Sequence, residues 1–153
     1  VFVPALAGLG SPHWDPDARG LLCGLTRGTT RAHLVRATLE AMAFQVADVL
    51  DAYPSDVGVL RVDGGATANR FLMQFQADLL DCPVEVAADP ETTALGVAAL
   101  AGLAVDTWPD LDALRRRIRS GARYEPAMSR DEAGSRQDEW HRAVRRALGR
   151  APV

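Results

Sequence analysis

Two stretches of the sequence hold residue types that can do chemistry. In LRVDGGATANRFLMQFQADLL, residues 60–80, Asp63-Gly64-Gly65 precedes Ala68-Asn69 at the start of an amphipathic run. A tight turn needs one glycine at most. A second one removes another Cβ, so a flat ring or a phosphate can reach the backbone, where a helix start offers free N–H groups. Asn69 would present a donor and an acceptor to the same space. Turn geometry for the glycines and a solvated helix position for Asn69 account for the same letters. In SPHWDPDARG, residues 11–20, His13 and Asp15 could form an acid–base pair, or Asp15 and Asp17 could ligate magnesium. The competing reading is a rigid loop in which Asp15 and Asp17 cap turns and Trp14 plugs the core. It is favoured, because Pro12 and Pro16 stiffen the loop without supplying a base or a nucleophile.

Other candidates have plainer explanations. PETTALG, residues 90–96, could contact a phosphate, but Thr92 and Thr93 also serve as helix caps. Arg115, Arg116, Arg117 and Arg119 read as a solvated helix face, with anion binding the alternative. Cys23 and Cys82 are far apart and read as reduced thiols. His13, His33 and His141 are scattered, which argues against a zinc site. All 17 basic residues are arginine, which excludes lysine chemistry within these 153 residues.

The elements that must position these groups follow from periodicity. Val1 to Val3 opens as a strand and leads into a Gly- and Pro-rich loop, long enough to suggest function or an interface. A second apolar segment ends at Thr29-Thr30, which suit an N-cap. From Arg31, Val35, Leu39, Met42, Val46, Val49, Leu50 and Tyr53 recur at helical steps until Pro54. Residues 57–62 and 82–87 are expected strands, with a helix between them burying Phe71, Phe75 and Leu79. A further helix after Pro90 carries a small-residue face, Ala94, Ala98, Ala99 and Gly102, suited to lying close to a sheet or another helix. Helices over 110–120 and 129–149 complete the chain, with Trp108 and Trp140 anchoring them in the core. Alternation of strands and helices implies right-handed crossovers and a largely parallel sheet.

One domain is the default for this length. A net charge of −3 argues against a nucleic-acid or membrane partner held by bulk charge. The longest apolar run, residues 95–105, is too short for a bilayer. The opening Val-Phe-Val-Pro already lies inside a strand-like run, so the sequence is expected to be part of a longer one. Such a truncated domain exposes a sheet edge and an apolar face, so association into homo-oligomers is expected.

GLLCGLTRGTTRAHLVRATLE (residues 20–40) resembles a signature of the FGGY carbohydrate kinases. GLGSPHWDPDARG, GLTRGTT, RVDGGATANRFLMQFQADLL and ETTALGVAALAGLAV resemble the glycerol-phosphorylating branch of that family; its pentulose kinases usually lack the pair found here at Trp14-Asp15. The likeness runs from Val1 to about Trp108 and more loosely through Trp140. It implies an α/β fold, a partial RNase H-like, actin-like ATPase domain whose small sheet is flanked by helices. Residues 1–153 would be the later part of the second, nucleotide-binding domain. The resemblance also implies ATP/ADP and Mg²⁺ as cofactors, glycerol as substrate and a cytoplasmic enzyme. The second corner glycine and the Asn four residues on line the adenosine site in such kinases, which carries over to Gly65 and Asn69, with Gly64 beside them. Arg70 stands where many relatives have a second Asn, which would alter the adenine rim. The catalytic aspartate and polyol pocket lie upstream of the matching region, so the resemblance gives none of Asp15, Asp17 and Asp63 the role of base.

Overall fold

The computed structural model describes residues 1–116 and 119–148. Strand β1 (Phe2–Val3) pairs antiparallel with β2 (Leu21–Leu22), closing the long loop between them. Helix α1 (Arg31–Asp51) starts at the N-cap Thr30, whose backbone N–H donates to His33 Nδ1 at 3.0 Å. Strand β3 (Leu60–Val62) leads through a 3-10 turn (Gly65–Ala68) into α2 (Arg70–Leu80), which ends at Asp81 in the left-handed region. Then come β4 (Val84–Ala87), α3 (Thr92–Ala104), α4 (Leu111–Arg115), β5 (Ser120–Tyr124) and α5 (Arg130–Ala147). Helix α5 is capped by Ser129 and has acids in its first turn and arginines in its last, matching the helix dipole. Among the described residues no helix is long and apolar enough to cross a membrane.

The expected parallel crossover is present between β3 and β4, with α2 as the connection. The remaining pairings are antiparallel. Strand β5, which SGARY hardly announces in its pattern, joins the far side of β4 antiparallel, giving the order β3-β4-β5. The helix expected over 110–120 is assigned only as far as Arg115, and β5 begins at its last position, Ser120; Arg117 lies outside the described residues. The sheet is one-sided. Leu60 pairs with Val84 and Val62 with Val86 toward the core, while Arg61 lies opposite Glu85 on the other face. There Arg123 and Arg61 both pair with Glu85, and the Arg123 guanidinium holds the Glu85 carboxyl below its ordinary range.

The core lies between the sheets and α1, α2 and α5. Phe44 of α1 stacks on Trp140 of α5 (centroids 5.2 Å apart) and meets Phe75 of α2 edge-on at 5.5 Å, geometries that add about 1 kcal/mol each beyond area burial. Helix α1 does not bury the large-residue stripe its periodicity suggests. Ala41, Ala43, Phe44, Ala47 and Asp48 face inward, while Val35, Met42, Val49 and Tyr53 are exposed. Small side chains win this face because α2 packs closely against it.

Two buried carboxylates organise the helices. Asp48, only 6% exposed, accepts from Trp140 Nε1 (2.9 Å) and contacts His141 Nε2 (3.1 Å) and His13 Nε2 (3.3 Å). Asp78 accepts from Gln74 and from the backbone N–H groups of Ala127 (2.8 Å) and Met128 (3.3 Å), fixing the β5–α5 connection on α2. Trp140 is thus a core anchor as expected. Trp108 instead lies half-buried at the end of α3, so close to Gly102 that a Cβ there would sit 2.5 Å from its indole nitrogen.

Removing the Asp48 carboxylate strands the buried Trp140 N–H and severs both histidine contacts. Asp48→Ala is expected to destabilise the chain by about 3 kcal/mol, read as a lowered midpoint in urea unfolding. A loss below about 1 kcal/mol, the scale of a single exposed hydrogen bond, would sink this account.

Candidate functional site

The glycine corner sits at the carboxyl end of β3, where open α/β sheets place ligands. Gly64 has φ +84°, ψ 172°, a conformation that L side chains rarely adopt, so its glycine is explained by the backbone alone. Gly65 starts the 3-10 turn and its φ is not in the positive region. A Cβ built on either glycine meets nothing within 4 Å. Neither backbone conformation nor a neighbour in this chain therefore requires glycine at Gly65, and the space above it is open.

Asn69 is not on the first or second turn of a helix starting at the corner, as the sequence suggested. The 3-10 turn intervenes, held by Thr67, whose N–H and hydroxyl both donate to Gly64 O (3.1 and 2.7 Å). Asn69 is then the N-cap of α2, its Oδ1 accepting from Leu72 N at 3.1 Å. With the oxygen committed to the cap, the Nδ2 amino group is what this half-buried side chain offers a ligand. On the α2 side, Phe71 forms one wall of a cavity of about 430 Å³ lined also by Arg31, Ala32, Val35, Arg36 and Leu39. The Arg36 guanidinium lies 4.8 Å from the Phe71 ring centroid.

The other candidates separate. His13 and Asp15 do not pair: His13 reaches Asp48, while Asp15 Oδ1 accepts from Asp17 N (2.9 Å) and Ala18 N (3.0 Å). Asp15 thus caps its turn, as expected. Trp14 does not plug the core; it is 75% exposed with φ +50°, because the turn bonds of His13 and Trp14 to Gly10 O point it outward. Thr92 and Thr93 fall inside the first turn of α3, whose N-cap is Glu91, so they are not its caps. Asp89 instead receives the Glu91 N–H at 2.9 Å. Arg115 pairs with Asp112 at the exposed end of α4. Among the described residues no group of three or more His, Cys, Asp or Glu side chains is placed to hold a metal. Both cysteines are free, and burial raises the pKa of the Cys82 thiol.

Sequence reasoning missed Asp48 and Asp78. Their signal was present: each is an acid at a helical step from a buried aromatic, Phe44 and Phe75.

The two glycines should respond differently to a methyl group. Gly64→Ala is expected to destabilise the chain by about 1–3 kcal/mol, the cost of an L residue in the positive-φ extended region that essentially only glycine adopts. Gly65→Ala should leave stability within about 0.5 kcal/mol. Thermal or urea unfolding of both variants checks this, and equal losses would contradict it.

The chain matches the family described as "FGGY family of carbohydrate kinases, C-terminal domain" over residues 1–105. It is 57% identical over 151 residues to the glycerol kinase of Dechloromonas aromatica, covering 96% of this chain and 30% of that protein. Glycerol kinase 2 of Thermotoga maritima is 52% identical, over 97% of this chain and 31% of its own length. Its fold superposes on the crystal structure of Plasmodium falciparum glycerol kinase with ADP (TM-score 0.87, 41% identity, 99% of this chain and 31% of that one). It also superposes on xylulose kinase from Lactobacillus acidophilus (TM-score 0.79, 25% identity, 97% and 31%). The chain thus spans about three-tenths of the length of these proteins. With its small sheets flanked by helices, its glycine corner and a match over two-thirds of its length, the chain belongs to the FGGY family of carbohydrate kinases.

Proposed function

We propose that residues 1–153 are the C-terminal part of a glycerol kinase and form one wall of its adenosine site. The intact enzyme transfers the γ-phosphoryl of ATP to a terminal hydroxyl of glycerol, giving glycerol 3-phosphate and ADP. The observation that carries the site is Gly65: a glycine with open space above it and no conformational need to be one. A missing Cβ there lets the nucleoside lie against the backbone, and Asn69 Nδ2 donates to it while Oδ1 stays on the cap. The ADP named with the Plasmodium enzyme supports the nucleotide, and the relatives named as glycerol kinases support the substrate.

The chain's own part in phosphoryl transfer is positioning: it seats the adenosine so that the phosphates reach the acceptor. Mg²⁺ accompanies ATP in this reaction class, but no donor cluster among the described residues fits it, so no step here runs through it. The base and the glycerol pocket lie in the upstream part of the enzyme, and the 153 residues alone do not turn over ATP. The enzyme is cytoplasmic and assembles from several copies, which light scattering of the intact polypeptide tests. A pentulose substrate is the second reading, supported by the likeness to xylulose kinase.

ADP formation by the intact polypeptide, with glycerol and D-xylulose compared, should strongly favour glycerol. Gly65→Leu should leave folding unchanged and weaken ADP binding at least about tenfold. Unchanged ADP affinity in that variant would overturn the site, and preference for xylulose would overturn the substrate.

A further inference from the structure

Helix α1 keeps large apolar side chains on the face that the core does not use. Val35, Met42, Val49 and Tyr53 are all exposed, Val35 at 52% and Tyr53 at 58%. The seven-residue steps from Val35 to Met42 and from Met42 to Val49 are those of a seam between two packed helices. Thr38, Gln45 and Val46 fill the seam, and Arg31 opens it one turn before Val35. It holds no carboxylate.

The seam is symmetrical about Met42. Val35 and Val49 lie seven residues either side of it, Thr38 and Val46 four, and Arg31 and Tyr53 eleven. A two-fold axis through Met42 therefore sets methionine on methionine and valine on valine, the self-complementarity that an isologous contact requires. It also sets Arg31 of each copy beside Tyr53 of the other, where a guanidinium lies favourably over a phenol ring. A parallel pair would instead bring Arg31 against Arg31. Among the described residues Arg31 has no hydrogen bond or ion pair of its own. It also stands at the positive end of its own helix, whose first turn holds no acid and whose last turn holds no base. An antiparallel neighbour supplies the negative end of a second dipole at that point.

The shape agrees with the charge. The cavity of about 430 Å³ beside Phe71 is lined by Arg31, Ala32, Val35, Arg36 and Leu39, all on the N-terminal half of α1. The same axis carries the C-terminal end of a second α1 over this cavity, with Tyr53 as the side chain placed to enter it. Resting on the reading that the enzyme assembles from several copies, we infer that the exposed face of α1 is a two-fold interface with a second copy of the chain. The two helices pack antiparallel with Met42 on the axis, and Tyr53 of each copy fills the cavity beside Phe71 of the other.

Cross-linking of the intact polypeptide with a short bis-maleimide tests the register, the unsubstituted protein serving as the blank for native thiols. Met42→Cys should cross-link to itself, whereas Val35→Cys and Val49→Cys should form a dimer only when the two are co-expressed. In sedimentation of the same polypeptide, Val35→Glu should raise the dimer dissociation constant on the order of 100-fold, because it buries unpaired carboxylates in the seam. Tyr53→Ala should raise it about tenfold. No cross-link through Met42→Cys, or Val35→Cys joined to itself, overturns the inference. Val35→Glu with unchanged assembly overturns it too, while leaving the reading of several copies standing. An intact polypeptide that stays monomeric at every concentration overturns both.

Discussion

A single buried carboxylate holds the molecule in register. Asp48 receives the indole N–H of Trp140 and touches imidazoles from the loop after β1 and from α5. Its cost is desolvation of a charge, which only several well-placed donors can offset. Those partners come from two stretches, the loop after β1 and α5, while the carboxylate belongs to α1, so it is comfortable only when all three sit correctly together. The Phe44–Trp140 stack depends on the same arrangement, because the hydrogen bond fixes which way the indole lies. Asp78 repeats the device at lower stakes, taking backbone N–H groups from the segment that enters α5.

Much of this was legible from the letters. The strand–corner–helix unit around Asp63–Asn69, the crossover from β3 to β4, the capped start of α1 at Thr30 and the turn-capping role of Asp15 all follow from local chemistry. What failed did so for tertiary reasons. The stripe Val35, Met42, Val49 looks like the buried face of α1 because its residues are large. The helix instead buries alanines around Phe44, since close approach of α2 needs small side chains there. Strand β5 hides in SGARY because one face of it is solvated and carries Arg123. Trp14 seemed a core residue by type alone, and loop bonding turned it outward.

The candidate site divides in the same way. Gly64 could be explained from a backbone angle, and Gly65 could not be explained from anything inside the chain. Only coordinates separate the two, because in sequence they are the same letter. Gly10, Gly58, Gly96 and Gly134 share that open space, so at Gly65 it points to a ligand only together with the corner's place at the carboxyl end of β3.

Asn69 ties occupancy to helix order. Its oxygen satisfies an N–H of α2 in one particular rotamer, so a ligand accepting from its nitrogen in that rotamer also selects the capped state. By mass action the ligand then tightens the first turn of α2. That turn carries Phe71, and the next carries Phe75, which meets the Phe44 ring. A ligand filling the corner would therefore be felt as reduced fraying at the edge of the core.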